Sequence, residues 1–87
     1  MTILDQILES YSEDEFIKAD GHDNAIIGVD EKTMRLVYSR TKVIAGLVAM
    51  EMTYEEAVEF YDFNIEGAYI EGGPIFVNDD WEDPVKQ

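Results

Sequence analysis

The chain has 87 residues, with six Lys and Arg against twenty Asp and Glu, no cysteine, and a formal net charge of −14. This length holds one domain with a modest core, and the missing thiols exclude disulfides, Cys-type zinc sites and iron–sulfur ligation. The charge argues against direct contact with nucleic acid or an anionic membrane, since both need Lys and Arg to neutralise phosphate.

Taken in chain order, Ile3, Leu4, Ile7, Leu8 and Tyr11 form the apolar stripe of an amphipathic helix with Thr2 as its N-cap. Ser12-Glu13-Asp14-Glu15 reads as a capping box that opens a second short turn and buries Phe16 and Ile17. Asp20-Gly21-His22-Asp23-Asn24 is a turn by composition. Ala25–Val29 and Met34–Ser39 are β-prone runs around the polar connection Asp30-Glu31-Lys32-Thr33, which predicts a β-hairpin with a four-residue loop built on a type I turn.

Ser39 or Thr41 caps the next helix, in which Val43, Ile44, Leu47, Val48 and Met50 predict the central, most buried helix. Gly46 in its middle implies close packing against a neighbour. Thr53-Tyr54-Glu55-Glu56 is a further capping box. The helix it opens has Tyr54, Ala57, Val58 and Tyr61 on one face and Glu55, Glu56, Glu59 and Asp62 on the other, and ends at Asn64 or Gly67. Ala68-Tyr69-Ile70, the Glu71-Gly72-Gly73-Pro74 turn and Ile75-Phe76-Val77 predict a second hairpin or one strand beside an irregular loop. The expected fold class is α+β, a small domain over residues 1–77 with a β-hairpin and a short C-terminal strand or hairpin packed on about three helices. Residues 78–87 read as a flexible acidic tail.

Met1-Thr2-Ile3-Leu4-Asp5 has no basic n-region, so no signal peptide is expected. The longest apolar run, Val43 to Met50, is far short of the roughly 20 residues of a membrane span. The expected location is the cytoplasm. For a chain this short without disulfides, a homodimer is the expected route to more buried area.

Charge is uneven. Residues 1–50 hold nine acids and five bases, and residues 51–87 hold eleven acids and only Lys86. Lys32, Arg35, Arg40 and Lys42 predict one locally basic edge, the anion contact of a small-ligand or nucleotide-binding module. Glu55, Glu56, Glu59 and Asp62, with Glu66, Glu71 and the acids of residues 79–83, predict a negative ridge that a basic protein partner could dock against. Water alone also accounts for a polar helix face. Phe60 and Phe63 project away from the Tyr54–Tyr61 face, and Trp81 among acids reads as an interface anchor.

No catalytic residue is expected. His22 is the one imidazole and stands in a turn beside aspartates, without the nucleophile and orienter of a triad. Asp20, His22 and Asp23 match neither a zinc spacing nor an EF-hand loop, so neither metal nor cofactor is expected. Gly72-Gly73 precedes a proline and a β-prone run, the wrong context for a phosphate cradle.

The segments Asp20–Val29, Arg35–Ser39, Tyr54-Glu55-Glu56-Ala57, Phe63–Tyr69 and Pro74–Val77 together resemble a family of small uncharacterised proteins common in bacteriophage genomes. The resemblance covers most of residues 20–77 and departs at Gly72-Gly73, where a charged residue and Thr-Pro would be expected. It implies a phage-encoded protein at work inside an infected bacterium and supplies no catalytic residues. The leading expectation is a non-enzymatic accessory protein that binds another protein through its acidic face, to inhibit or redirect a host factor, with a nucleic-acid-binding host protein as the expected target. The ligand-binding module is the alternative.

Overall fold

Thr2 and Asp5 start the first helix by capping each other. The Asp5 N–H donates to Thr2 Oγ1 at 3.0 Å, and the Thr2 N–H donates to Asp5 Oδ2 at 3.2 Å. Two orphan donors of the first turn are thereby satisfied, and α1 (Ile3–Ser10) lays Leu4 and Ile7 into the core against the first strand. The computed structural model describes residues 1–66 and 71–81, and places α1 at the start of an α+β domain with a three-stranded mixed sheet.

The expected helical turn at Ser12–Glu15 does not form. The Asp14 N–H is taken by the Tyr11 carbonyl at 3.0 Å, which closes a turn before Ser12 can act as a cap. The following segment runs without regular structure to Ala19, whose N–H donates to the Tyr38 hydroxyl at 2.8 Å. Phe16 is half-buried, edge-on to Tyr11 at 6.4 Å, while Ile17 is exposed rather than buried.

A single turn of 3-10 helix, Asp23–Ala25, leads into β1 (Ile26–Asp30), which pairs antiparallel with β2 (Arg35–Ser39). The four-residue connection is present, displaced by one residue to 31–34. Asp30 stays in the strand and accepts from the Lys32 N–H and the Thr33 hydroxyl, and Met34 closes the loop at φ 53. The pairing carries a register shift between Ile26 and Gly28. One residue inserted into a period-2 pattern flips the strand's phase. Ile26 and Val29, three apart, therefore both stand opposite core-facing residues, Tyr38 and Leu36, and Ile27 is left outside.

Ser39 ends β2 and caps α2 (Arg40–Ala49), its Oγ accepting the Lys42 N–H at 3.1 Å. This helix buries Val43, Ile44 and Leu47, the most of any α-helix among the described residues, as expected of the central helix, whereas Val48 and Met50 face out. Gly46 is exposed, and a Cβ there would meet no atom within 4 Å; the expected close packing is absent. The helix stops through a Schellman motif. The Met52 N–H reaches the Leu47 carbonyl at 3.4 Å and the Glu51 N–H the Val48 carbonyl at 3.0 Å, with Glu51 left-handed at φ 73.

That corner delivers the chain to Thr53, which caps α3 (Tyr54–Phe60) in a second reciprocal box with Glu56. The helix continues past Asn64 as a π-helical turn, Tyr61–Glu66, and Gly67, the other expected end, lies outside the described residues. Ala57, Tyr61 and Ile65 make the inner face. Tyr54, expected on that face, is 59% exposed. The residues Ala68-Tyr69-Ile70, expected as a strand, lie outside the described residues, as do 82–87. β3 (Ile75–Val77) then joins the sheet parallel to β2, giving the order β1-β2-β3. Central β2 buries Leu36, Tyr38 and Ser39, and Tyr38 packs on Phe76 at 5.2 Å. Among the described residues no helix is long and apolar enough to cross a membrane.

Candidate functional site

The Schellman corner and the Thr53–Glu56 box together fix which sides of α3 face outward. With Ala57 and Tyr61 directed into the core, the residues one position earlier in each turn point sideways. Met52, Glu56, Phe60 and the Phe63–Asn64 pair follow one another at helical spacing and, with Glu59, line a shallow groove of about 350 Å³. Met52 is half-buried, Phe60 is 37% exposed and Phe63 is 77% exposed. Glu55, Glu59 and Asp62 run alongside as a parallel acidic stripe, all exposed.

Among the described residues no Lys or Arg forms an ion pair with the carboxylates of this face. Among the described residues the one ion pair is Lys18–Asp23, at 3.3 Å. Glu56 has a second task, since its Oε1 accepts the Thr53 N–H at 2.9 Å. Asn64 and Glu59 complete a rim in which polar groups surround two large apolar rings. Such a surface is chemically suited to burial against an apolar side chain flanked by cations.

Trp81 is exposed, and its indole N–H donates to the Asn78 carbonyl at 2.9 Å. Glu66 closes the π-helical turn, and its side chain lies outside the described residues. The tail begins with residues tied to the domain: Asp79 accepts from the Ser39 hydroxyl and from the Thr41 N–H at 3.1 Å. The Ser39 hydroxyl, followed by the Thr41 N–H, holds the Asp79 carboxyl below its ordinary value.

The four bases are divided. Lys32 and Arg35 stand at the hairpin end of β2, where Arg35 Nε donates to Thr33 Oγ1 at 3.2 Å. Arg40 and Lys42 belong to α2 at the other end, about 16 Å further along an extended chain. The Arg40 guanidinium lies over the Tyr61 ring, 5.4 Å from its centroid. No single basic edge unites them.

His22 is half-buried before the 3-10 turn. It lines a cleft of about 290 Å³ with Lys18, Asp20, Asn64, Ile65 and Phe76. Among the described residues no three His, Asp or Glu side chains converge as a metal ion would require. Gly72 supplies a turn at φ 77, leading through Pro74 into β3. Ser39 is buried, and its hydroxyl is engaged as donor to Asp79 and acceptor from Lys42.

Sequence reasoning placed the acids of α3 on an outer face and noted the outward phenylalanines, but missed Met52 and Asn64 as their neighbours. The signal available was the spacing of 52, 56, 60 and 63, which crosses a helix boundary and so escapes a search for single-helix stripes. No family model, curated protein or solved structure matches this chain.

Proposed function

We propose that this protein is a non-enzymatic binding protein that docks its α3 face on a basic protein partner, and that it inhibits a host nucleic-acid-binding factor in a phage-infected bacterium. The observation that carries the reading is the acidic stripe Glu55, Glu59 and Asp62, exposed beside an apolar groove and in no ion pair among the described residues. A surface with this charge speeds encounter with a basic groove and selects against acidic partners. Proteins that hold nucleic acid present such grooves to phosphate. The alternative, an anion-binding module built on Lys32, Arg35, Arg40 and Lys42, is the weaker reading because those residues occupy opposite ends of β2.

Affinity capture from bacterial lysate tests the reading, comparing wild type with the Glu55→Gln/Glu59→Gln/Asp62→Asn variant at low and high salt. A stoichiometric partner retained by wild type, lost from the variant and released by salt is the expected result. Capture that is the same for both proteins, or indifferent to salt, would sink it.

A further inference from the structure

We infer that the groove between Met52 and Phe63 receives an amphipathic basic helix of the partner protein, with apolar side chains at i and i+3 or i+4 seated on Phe60 and Phe63 and flanking Lys or Arg on Glu56 and Glu59. The inference rests on the proposed acidic docking face and adds to it the occupant and its mode of binding.

The shape of the groove argues for a helix. Its floor follows one side of α3 and the π-helical turn, so its apolar points recur at helical spacing. Residues three or four apart on a helix are neighbours, about 5–6 Å between Cβ atoms. A facing helix offers its own apolar side chains at the same interval, which is the basis of helix-in-groove recognition.

Apolar exposure and charge concur. Phe63, 77% exposed, and Phe60 are large rings on the surface of a chain whose buried core is small. Two carboxylates lie within the groove itself, and two more stand beside it. The segment from residue 50 to 66 contains no Lys or Arg. A second copy seated groove to groove would set Glu56 and Glu59 against their own counterparts, a repulsion that no base in either segment relieves. A nucleic acid or an anionic bilayer meets the same repulsion. A helix with an apolar stripe bordered by cations satisfies both halves of the surface.

The test uses the full chain and two synthetic peptides of about 18 residues, long enough to hold a helix. One carries Leu at i, i+3, i+4 and i+7 with Lys and Arg elsewhere; the other has the same composition scrambled. Binding is measured by titration calorimetry for wild type, Phe63→Ala and Glu56→Gln/Glu59→Gln. The expected result is preference of wild type for the patterned peptide, with each variant weaker by about tenfold. Phe63 is so exposed that its alanine variant should keep wild-type circular dichroism, which is recorded beside each titration.

Equal, salt-sensitive binding of both peptides, unchanged in Phe63→Ala, would overturn the groove while leaving the acidic docking face standing. Binding of neither peptide would overturn both. Sedimentation showing a wild-type dimer that Phe63→Ala dissolves would also overturn it, by assigning the groove to a second copy.

Discussion

The hydroxyl of Ser39 donates to Asp79 Oδ2 at 2.5 Å, joining residues 40 positions apart. Ser39 is the buried last residue of β2, and the same oxygen accepts the Lys42 N–H that starts α2. Asp79 also takes the Thr41 N–H, so one carboxylate holds the chain beyond β3 onto the first turn of α2.

Replacing that carboxylate should loosen the C-terminal end of the sheet. Asp79→Ala should cost about 1 kcal/mol, a charged hydrogen bond discounted because Asp79 is solvent-exposed. The Asp79 carboxyl sits below its ordinary 3.8, so its contribution is present above that pH and is lost as the pH falls through the folded value. Thermal melts of wild type and variant should therefore differ at neutral pH and converge as the pH drops below 3.8. A constant offset across that range would contradict this role.

Tyr38→Phe should remove the acceptor of the Ala19 N–H and cost about 1–2 kcal/mol in denaturant unfolding. Burial is the main cause that pushes the Tyr38 phenol above 10.0. The native state holds this proton more tightly than the unfolded chain. The associated stability is present below pH 10.0 and is lost as the pH rises through the folded value. Tyr11, raised chiefly by its hydrogen bond to Glu31, contributes in the same alkaline window. The role of Tyr38 is therefore the part of the alkaline decline that wild type shows and Tyr38→Phe does not.

The Thr53–Glu56 box allows the fold of α3 to be separated from its charge. Thr53→Ala should destabilise the protein by about 1 kcal/mol through the lost cap. Glu56→Gln keeps an acceptor for the Thr53 N–H and should leave stability within about 0.5 kcal/mol. Chemical denaturation of the two variants checks this, and equal losses would show that the carboxylate's charge matters to folding.

Two positions in and after α2 have residues that suit each other's places. Gly46 stands mid-helix with open space around it, and Glu51 occupies the left-handed position that favours glycine. Gly46→Ala should raise stability by about 0.5–1 kcal/mol, and Glu51→Gly should raise it by about 1 kcal/mol. Differential scanning calorimetry would register either as a higher melting temperature. A fall for Gly46→Ala would mean that the helix packs against something there.

The parts of the fold legible in sequence were those set by neighbours along the chain. Thr2 with Asp5, Thr53 with Glu56, and the β-prone runs around a polar four-residue loop all act within a few residues. Ser12–Glu15 has the same local pattern as a capping box, yet the Asp14 N–H goes to the Tyr11 carbonyl, and the chain beyond is held at Ala19 by Tyr38, a distant residue that no local pattern reveals. Tyr54 shows the same limit: its spacing matches the inner face, yet it is exposed while Met52 before it and Ala57 after it reach the core. The β1 bulge, the left-handed Glu51 and the Asp79 clamp each depend on backbone geometry or long-range contact. In the candidate site, the acidic stripe was readable from helical spacing. The groove was not, because Met52 belongs to the preceding corner.

The parallel pairing of β3 with β2 has a kinetic side. β1, β2 and α2 assemble from contacts between near neighbours in the chain, whereas the pair Val37–Ile75 forms only after the whole of α2 and α3 has been looped out. Long loops close late because their entropy must be spent before any contact rewards it. β3 should therefore be the last strand to join during folding and the first to detach. Its amides should exchange with solvent through an opening that leaves the hairpin protected, as hydrogen-exchange mass spectrometry would resolve. In that opened state the rings of Tyr38 and Phe76 should part company and the paired edge of β2 should lie bare, a surface on which another strand could add.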